Sequence, residues 1–597
     1  MAKELLLGNQ AIALGAIRAG VGVVTGYPGT PSTEILETVA KYNPGDIYVE
    51  WSVNEKSALE VASGAAFTGT RTLVTMKQVG LNVASDPIMS LAYIGVKGGM
   101  VVVVADDPGP ISSQTEQDTR QFGVFSRLPV LDPSSPEEAF IMIQEAFELS
   151  EKYSTPVILR PTTRVCHASA DILLDDYRKS IAPEGFQKDP KWVIFPRLSH
   201  QNHIKIEERN LQLSEEFSAS PFNSLSGSGK KGIVTHGIND AYTREALSFM
   251  DPPVKLMKIG TPHPFPEKLA LDFLEDLEEV LVIEELSPYI EKELLVICGK
   301  YHLPVRIRGK LTGDSPFAGE NTVESVGAMI RHFLGLPQTP SQTQDVSVPL
   351  PVRPPVLCAG CPHRASFYAV KQAMKGRKAV FSGDIGCYTL GNAKPLEMVD
   401  TCLCMGAGVT MAQGLHRTEP DGVHFAFIGD STFFHTGIPG VVNAIYNETD
   451  FVLVVLDNAT TAMTGNQPHP GTGKTMMGTI SEKISMTQVL TALGVKSIER
   501  VNPFNLEEAK RAVVKATGTK GVSAIIFEAP CIQVAKPAPS FTVNQESCRG
   551  CRRCIRELGC PAMSMDNGKA VIDAYMCYGC SICAQVCPFD AIGGAKL

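Results

Sequence analysis

The C-terminal end carries the tightest constraint on this chain. CYGCSICAQVCP sets Cys577, Cys580, Cys583 and Cys587 in a C-x2-C-x2-C-x3-C run closed by proline, and CRGCRRCIRELGCP sets Cys548, Cys551, Cys554 and Cys560 in the same run with a longer last gap. A 4Fe-4S cluster needs four thiolates in tetrahedral directions. A short C-x2-C-x2-C loop wraps three corners, and a remote cysteine closes the neighbouring cluster. The spacing predicts one cluster on Cys548, Cys551, Cys554 and Cys587, and a second on Cys577, Cys580, Cys583 and Cys560. Zinc is the alternative, since C-x2-C also suits it, but a three-cysteine run ending in Cys-Pro and occurring twice favours iron–sulfur. Half of the chain's 16 cysteines lie in this stretch. In a large cytoplasmic chain that density means metal ligation rather than disulfides.

So small a cysteine domain leaves most of the 597 residues to other structure. At roughly 150 residues per domain, about four domains are expected. A net charge of −9 over this length argues against a protein built to hold nucleic acid. The most apolar run, Met100 to Ala105, falls far short of the ~20 residues of a membrane span and reads as a buried parallel strand. Glu4, Gln10 and Arg18 interrupt any signal-peptide core, so a cytoplasmic location is expected. Apolar strands such as VGVVTGYPG, GMVVVVADD, EVLVIEE, HFAFIGD and FVLVVLDN alternate with helical stretches. That rhythm predicts an α/β protein with three doubly wound parallel-sheet domains, at 1–198, 232–336 and 356–535, followed by a small α+β cysteine-rich domain at 541–597. The polar stretch 199–231 reads as a linker, and the Pro-, Gln- and Ser-rich stretch 337–355 as a second, extended one.

Two strand ends in the third domain draw the eye. HFAFIGD runs into Gly429-Asp430-Ser431, and FVLVVLDN ends in Asp457-Asn458. Polar residues at the carboxyl ends of buried parallel strands stand where open α/β sheets bind ligands. A carboxylate, a side-chain amide and a backbone carbonyl are hard oxygen donors that suit Mg²⁺ shared with a diphosphate. Taken alone, Gly-Asp-Ser is equally a turn with a capping aspartate.

These residues resemble the thiamine-diphosphate enzymes, whose signature is Gly-Asp followed by Asn at the next strand end. The resemblance implies Asp430, Asn458 and the Thr460 carbonyl as Mg²⁺ ligands. Within that superfamily the chain is similar to the 2-oxoacid:ferredoxin oxidoreductases. Tyr27-Pro28-Gly29-Thr30-Pro31-Ser32, Arg120-Gln121-Phe122-Gly123, Cys358-Ala359-Gly360-Cys361-Pro362-His363 and Met463-Thr464-Gly465-Asn466-Gln467 match their loops, and the tail resembles a two-cluster ferredoxin. The segment order resembles most the large subunit of the indolepyruvate-oxidising branch. The three large domains then become a pyrimidine-binding domain, a transketolase C-terminal-like domain and a diphosphate/Mg²⁺-binding domain.

The resemblance also implies roles. Glu55 falls where the family places the carboxylate that activates the cofactor's pyrimidine, with Glu50 and Glu60 as fallbacks. A first-turn glutamate complementing the helix dipole is the plain alternative. Thr30 and Arg120 become substrate-carboxylate ligands. His363, Gly386 and Cys387 line the diphosphate or thiazolium, unless His363 is simply a satisfied core histidine. Met463 joins the cofactor loop, and His435 faces substrate. Cys358, Cys361, Cys387 and Cys531 fall where relatives hold a third, proximal 4Fe-4S cluster, although CAGCPHR departs from their CPGCGH. Cys402 and Cys404 are substitutes, and Cys166 and Cys298 read as buried structural thiols.

The implied reaction is oxidative decarboxylation of an aryl 2-oxoacid to the aryl-acetyl-CoA, with coenzyme A taking the acyl group and ferredoxin the electrons. Pyruvate, branched-chain 2-oxoacids and 2-oxoglutarate are the competing substrates. An electron-transfer or scaffold subunit with a decayed thiamine site is the competing class. The resemblance further implies a separate small subunit, a heterotetramer of two large and two small chains, and cofactor sites between thiamine-binding domains. Arg549, Arg552, Arg553 and Arg556 are then either a solvated face or a docking patch for an acidic ferredoxin.

Overall fold

In the computed structural model, residues 2–175, 177–250, 252–338, 351 and 353–594 are described. The chain forms two compact units, Met1–Asp345 and Val346–Leu597. The division falls inside the 337–355 stretch expected as a linker, most of which lies outside the described residues.

Among the described residues the first unit holds two large sheets and a two-stranded antiparallel one, Ala2–Leu7 with Ser169–Leu174. One orders six strands as Tyr48–Trp51, Val23–Gly26, Thr72–Lys77, Met100–Ala105, Val157–Leu159 and Val130–Leu131, with every pairing parallel. Met100–Ala105 is buried along its whole length, as a central parallel strand covered on both faces must be. The second sheet orders Arg306–Arg308, Glu279–Ile283, Lys231–His236, Val254–Ile259 and Ser224–Gly227; the last is an antiparallel edge.

The stretch 199–231 is not the irregular linker expected. Pro196–Ser218 is a 23-residue helix, and Ser224–Gly227 is that sheet's edge strand. Ile206, Leu213 and Phe217 are the helix's buried residues, a sparse apolar stripe among many charges. So thin a seam is easily hidden by its polar neighbours, yet it suffices once a sheet domain is there to pack against.

The second unit is built on five parallel strands, ordered Ala379–Ser382, Val423–Gly429, Phe451–Asp457, Val522–Glu528 and Ser497–Val501. Gly429 pairs with Leu456, which brings the ends of these two strands level. The C-terminal part follows the same logic in miniature. Phe541–Val543 pairs with Ile592–Gly594, and Met563–Asp566 with Lys569–Ile572, both antiparallel. Among the described residues, no helix is long and apolar enough to cross a membrane.

Candidate functional site

In the second unit the two strand tips converge. Asp430 Oδ1 accepts the Ser431 N–H at 2.8 Å, and Oδ2 accepts the Asn458 N–H at 3.1 Å. Asn458 Oδ1 accepts the Thr460 N–H at 3.3 Å. All four residues are buried. Burial raises the Asp430 carboxyl, but His469 and the N–H donors more than offset that and hold it below its ordinary value. Asp457 is pushed up to about 6, by burial and then by the charge of Asp430. Two carboxylates sharing one buried pocket call for a cation. His469 Nε2 lies 3.1 Å from Asp430 Oδ2 and pairs with it. Oxygen donors and a like-charged pair together fit a divalent cation on Asp430, Asn458 and Thr460.

His363, in the first turn of helix Pro362–Ala373, joins this group. Asn458 Nδ2 donates to its Nε2 at 3.3 Å, so that nitrogen is unprotonated. Burial lowers the imidazole's pKa to about 4 and keeps the ring neutral. Gly386 and Gly429 flank the Tyr388 ring, which a Cβ at either glycine would meet at 2.5 and 2.7 Å. Tyr388 is itself held by a 2.7 Å hydrogen bond to buried Asp384. Ser431 and His435 are buried, whereas Met463 is 52% exposed on its short 3-10 turn.

In the first unit, Glu55 opens helix Glu55–Ala66 behind an N-cap, Asn54, that accepts the Ser57 N–H at 2.8 Å. Glu55 is 5% exposed, whereas the fallbacks stand further out: Glu50 takes hydrogen bonds from Tyr48 and Ser52, and Glu60 pairs with Lys56 on the surface. Gly80 makes the space, because a Cβ there would lie 2.6 Å from Glu55 Oε1. Half-buried Thr30 lies in the loop before helix Thr33–Lys41. Lys77, which the motifs did not mark, ends strand Thr72–Lys77 beside that loop, with its Cγ 3.2 Å from where a Cβ on Gly29 would stand. Burial lowers the Lys77 pKa, against the opposing pull of Glu55 and Asp107.

Arg120 occupies a different place from the one expected. It is fully buried, and its guanidinium donates to Asp118 at 2.9 and 2.7 Å, Glu284 at 2.8 Å, and the carbonyls of Glu285 and Ser287 at 2.8 and 3.0 Å. It also meets His236 Nε2 at 3.1 Å, and His236 Nδ1 contacts Asp132 Oδ2 at 2.6 Å. Burial and the Arg120 charge lower His236 to about 4, which leaves Nε2 free to accept from Arg120. With every donor engaged, Arg120 is the hub of a buried ion network and not an open carboxylate receptor.

The terminal cysteines gather around two pockets. Cys548, Cys551, Cys554 and Cys587 line one pocket, and Cys560, Cys577, Cys580 and Cys583 line another. Among the described residues, no three His, Cys, Asp or Glu side chains close on a single-ion site. Burial, and then Cys531 and Cys358, push the Cys387 thiol up to about 11, so those three thiols share one neighbourhood. Cys361 lies near Cys358 but also lines the pocket of the second quartet. Cys402 instead feels Asp384 and Cys404, and Cys166 and Cys298 are buried thiols whose pKa burial raises.

Three family models match the chain: a pyruvate flavodoxin/ferredoxin oxidoreductase thiamine-diphosphate-binding domain at 14–204, a thiamine pyrophosphate enzyme C-terminal TPP-binding domain at 384–527, and a 4Fe-4S binding domain at 570–593. The indolepyruvate oxidoreductase subunit IorA of Pyrococcus horikoshii is 42% identical over 99% of this chain and 96% of its own length. That of Methanothermobacter thermautotrophicus is 42% identical over 99% and 97%. A solved 2-oxoglutarate:ferredoxin oxidoreductase from Magnetococcus marinus aligns at 18% identity and a TM-score of 0.43, covering 55% of this chain and 65% of that one.

Proposed function

The chain belongs to the family of indolepyruvate oxidoreductase IorA subunits, thiamine-diphosphate-dependent 2-oxoacid:ferredoxin oxidoreductases, and from that premise we propose that it oxidatively decarboxylates indolepyruvate and related aryl 2-oxoacids to their aryl-acetyl-CoA. The observation that carries the reading is the pairing, within one unit, of a buried oxygen-donor site at two strand tips with two cysteine quartets around separate pockets. Bound thiamine diphosphate supplies the carbanion and electron sink that decarboxylation needs. The protein's share is orientation, charge and an electron path.

Asp430, Asn458 and the Thr460 carbonyl grip Mg²⁺ and through it the diphosphate, with His363 ordering Asn458. Glu55 holds the pyrimidine proton, supported by the space that Gly80 leaves. Thr30 and Lys77 receive the substrate carboxylate, the charge coming from Lys77 because Arg120 is engaged elsewhere. Cys358, Cys361, Cys387 and Cys531 hold a proximal cluster. Arg549, Arg552, Arg553 and Arg556 are all exposed, and the first two line the pocket of the first quartet. They form the docking face for ferredoxin. A separate small subunit completes the enzyme, as a heterotetramer of two large and two small chains in the cytoplasm.

Anaerobic addition of indolepyruvate and coenzyme A to the purified complex should bleach the iron–sulfur absorbance. Bleaching with pyruvate but not indolepyruvate would overturn the substrate assignment. Iron analysis of the same sample should give about twelve irons per chain with the proximal cluster and about eight without it.

Lys77 and Arg120 divide cleanly in a paired experiment. Lys77→Met should raise the KM for the 2-oxoacid by roughly 10- to 100-fold, the worth of a charge-assisted hydrogen bond, with little change in melting temperature. Arg120→Met should instead cost about 3–5 kcal/mol of stability, because it leaves Asp118 and Glu284 buried without their cation. The reverse pattern would return Arg120 to the substrate site.

A further inference from the structure

Arg364 sits where two sets of cysteines meet. It follows Cys361-Pro362-His363 in helix Pro362–Ala373 and is 7% exposed. Its Nη1 donates to the carbonyls of Leu558 and Gly559, the backbone that leads into Cys560. Its Nη2 donates to the Leu357 carbonyl, immediately before Cys358. The side chain thus ties the approach to one cysteine set to the approach to the other. It also lines the pocket walled by Cys361, Cys560, Cys577, Cys580 and Cys583.

Two further features separate this residue from an ordinary buried clamp. Its hydrogen bonds go to neutral carbonyls, and among the described residues it forms no ion pair with a carboxylate, so its positive charge is left uncompensated in a low-dielectric wall. Its Nε is buried with no hydrogen-bond partner. Uncompensated buried charge and an orphaned donor are both expensive unless something negative belongs beside them. Burial works against the Arg364 charge, and Cys560, Cys361, Cys580 and Cys358 are the groups that would support it once ionised. Four thiolates around a 4Fe-4S core carry net negative charge, and their sulfurs accept hydrogen bonds.

We propose that Arg364 is the fixed counter-charge of the cluster held by Cys560, Cys577, Cys580 and Cys583, with Nε–H donating to its sulfur, and that it sets this cluster's reduction potential above that of an otherwise equal cluster without it. This rests on the reading that those cysteines hold a 4Fe-4S cluster. Each transfer adds one electron and no proton to the cluster. The electron originates in substrate oxidation and departs to ferredoxin, so the cluster returns to its starting charge each cycle. The guanidinium stabilises the reduced state more than the oxidised one, which makes the cluster of Cys560, Cys577, Cys580 and Cys583 the better acceptor. Hydrogen bonds to cluster sulfurs and local charge are established determinants of such potentials.

The test uses the full complex, anaerobically purified, with Arg364→Gln and Arg364→Lys beside the parent. Midpoint potentials of the reduced clusters are read by electron paramagnetic resonance during a redox titration, and Cys583→Ser identifies which signal belongs to the second quartet. The glutamine variant should keep the parent's iron content and shift that one midpoint to a more negative value, leaving the other terminal cluster unmoved. The lysine variant, which keeps charge but not the forked carbonyl clamp, should retain most of the parent value. An unmoved midpoint in Arg364→Gln at full iron content overturns the proposal. So does an equal drop, or an equal loss of iron, in both variants, since the clamp rather than the charge would then be the residue's contribution. Failure of the underlying reading looks different: the parent itself would lack the second cluster signal.

Discussion

Glu55→Gln is expected to lower kcat by roughly 10²–10⁴-fold while leaving melting temperature and cofactor content near those of the parent. Glutamine keeps the size of the side chain and its place behind Asn54, so the helix start is undisturbed. What it loses is the ability to exchange a proton with the pyrimidine ring. The slowed step should be visible directly as slower hydrogen–deuterium exchange at the cofactor's C2 position. Gly80→Ala is a second route to the same result, because the new methyl would stand 2.6 Å from Glu55 Oε1 and the carboxylate would have to move. If both variants turned over at the parent rate, Glu55 would be no more than a first-turn acid complementing its helix dipole.

The grouping of the terminal cysteines around two pockets was legible, because the geometry of a cluster would dictate sequence spacing and the loops between the cysteines are short. The strand-tip pair Asp430 and Asn458 was legible for a related reason: buried parallel strands are apolar, so the first polar residues beyond them announce the ligand-binding edge of the sheet. Arg120 shows where this kind of reading stops. Its motif marks the position, but burial and partners decide its role, and Glu284, Glu285 and Ser287 come from more than 160 residues away. Lys77 and His469 were missed because no spacing marks them. A lysine ending the strand that leads to Gly80, and a histidine in a Gly-Pro-rich loop, look unremarkable until the fold brings them to Glu55 and Asp430. The helix Pro196–Ser218 was missed for want of contrast, since Ile206, Leu213 and Phe217 are few among many charges.

Asp430→Asn should weaken binding of thiamine diphosphate with Mg²⁺ by about 100-fold or more, beyond the range typical of a lost outer-shell partner, because a metal ligand's charge itself is removed. The same substitution should not harm the cofactor-free protein. Asp430 and Asp457 repel one another in a buried pocket, and it is burial together with Asp430 that raises Asp457 to about 6. Removing one charge relieves that repulsion but gives up the pairing with His469 that holds Asp430 below its ordinary value, so the two effects offset and the apo melting temperature should change little. The contrast appears when ligand is added. At a cofactor concentration 100 times its Kd, the parent gains about 2.7 kcal/mol of stability, whereas a 100-fold weaker site gains about 0.4 kcal/mol. Thermal melts of both proteins with and without Mg²⁺ and thiamine diphosphate therefore separate a lost ligand from a damaged fold. Equal cofactor-dependent stabilisation in the two proteins would remove Asp430 from the metal site, and with it the anchor from which Asn458, Thr460 and His363 take their roles.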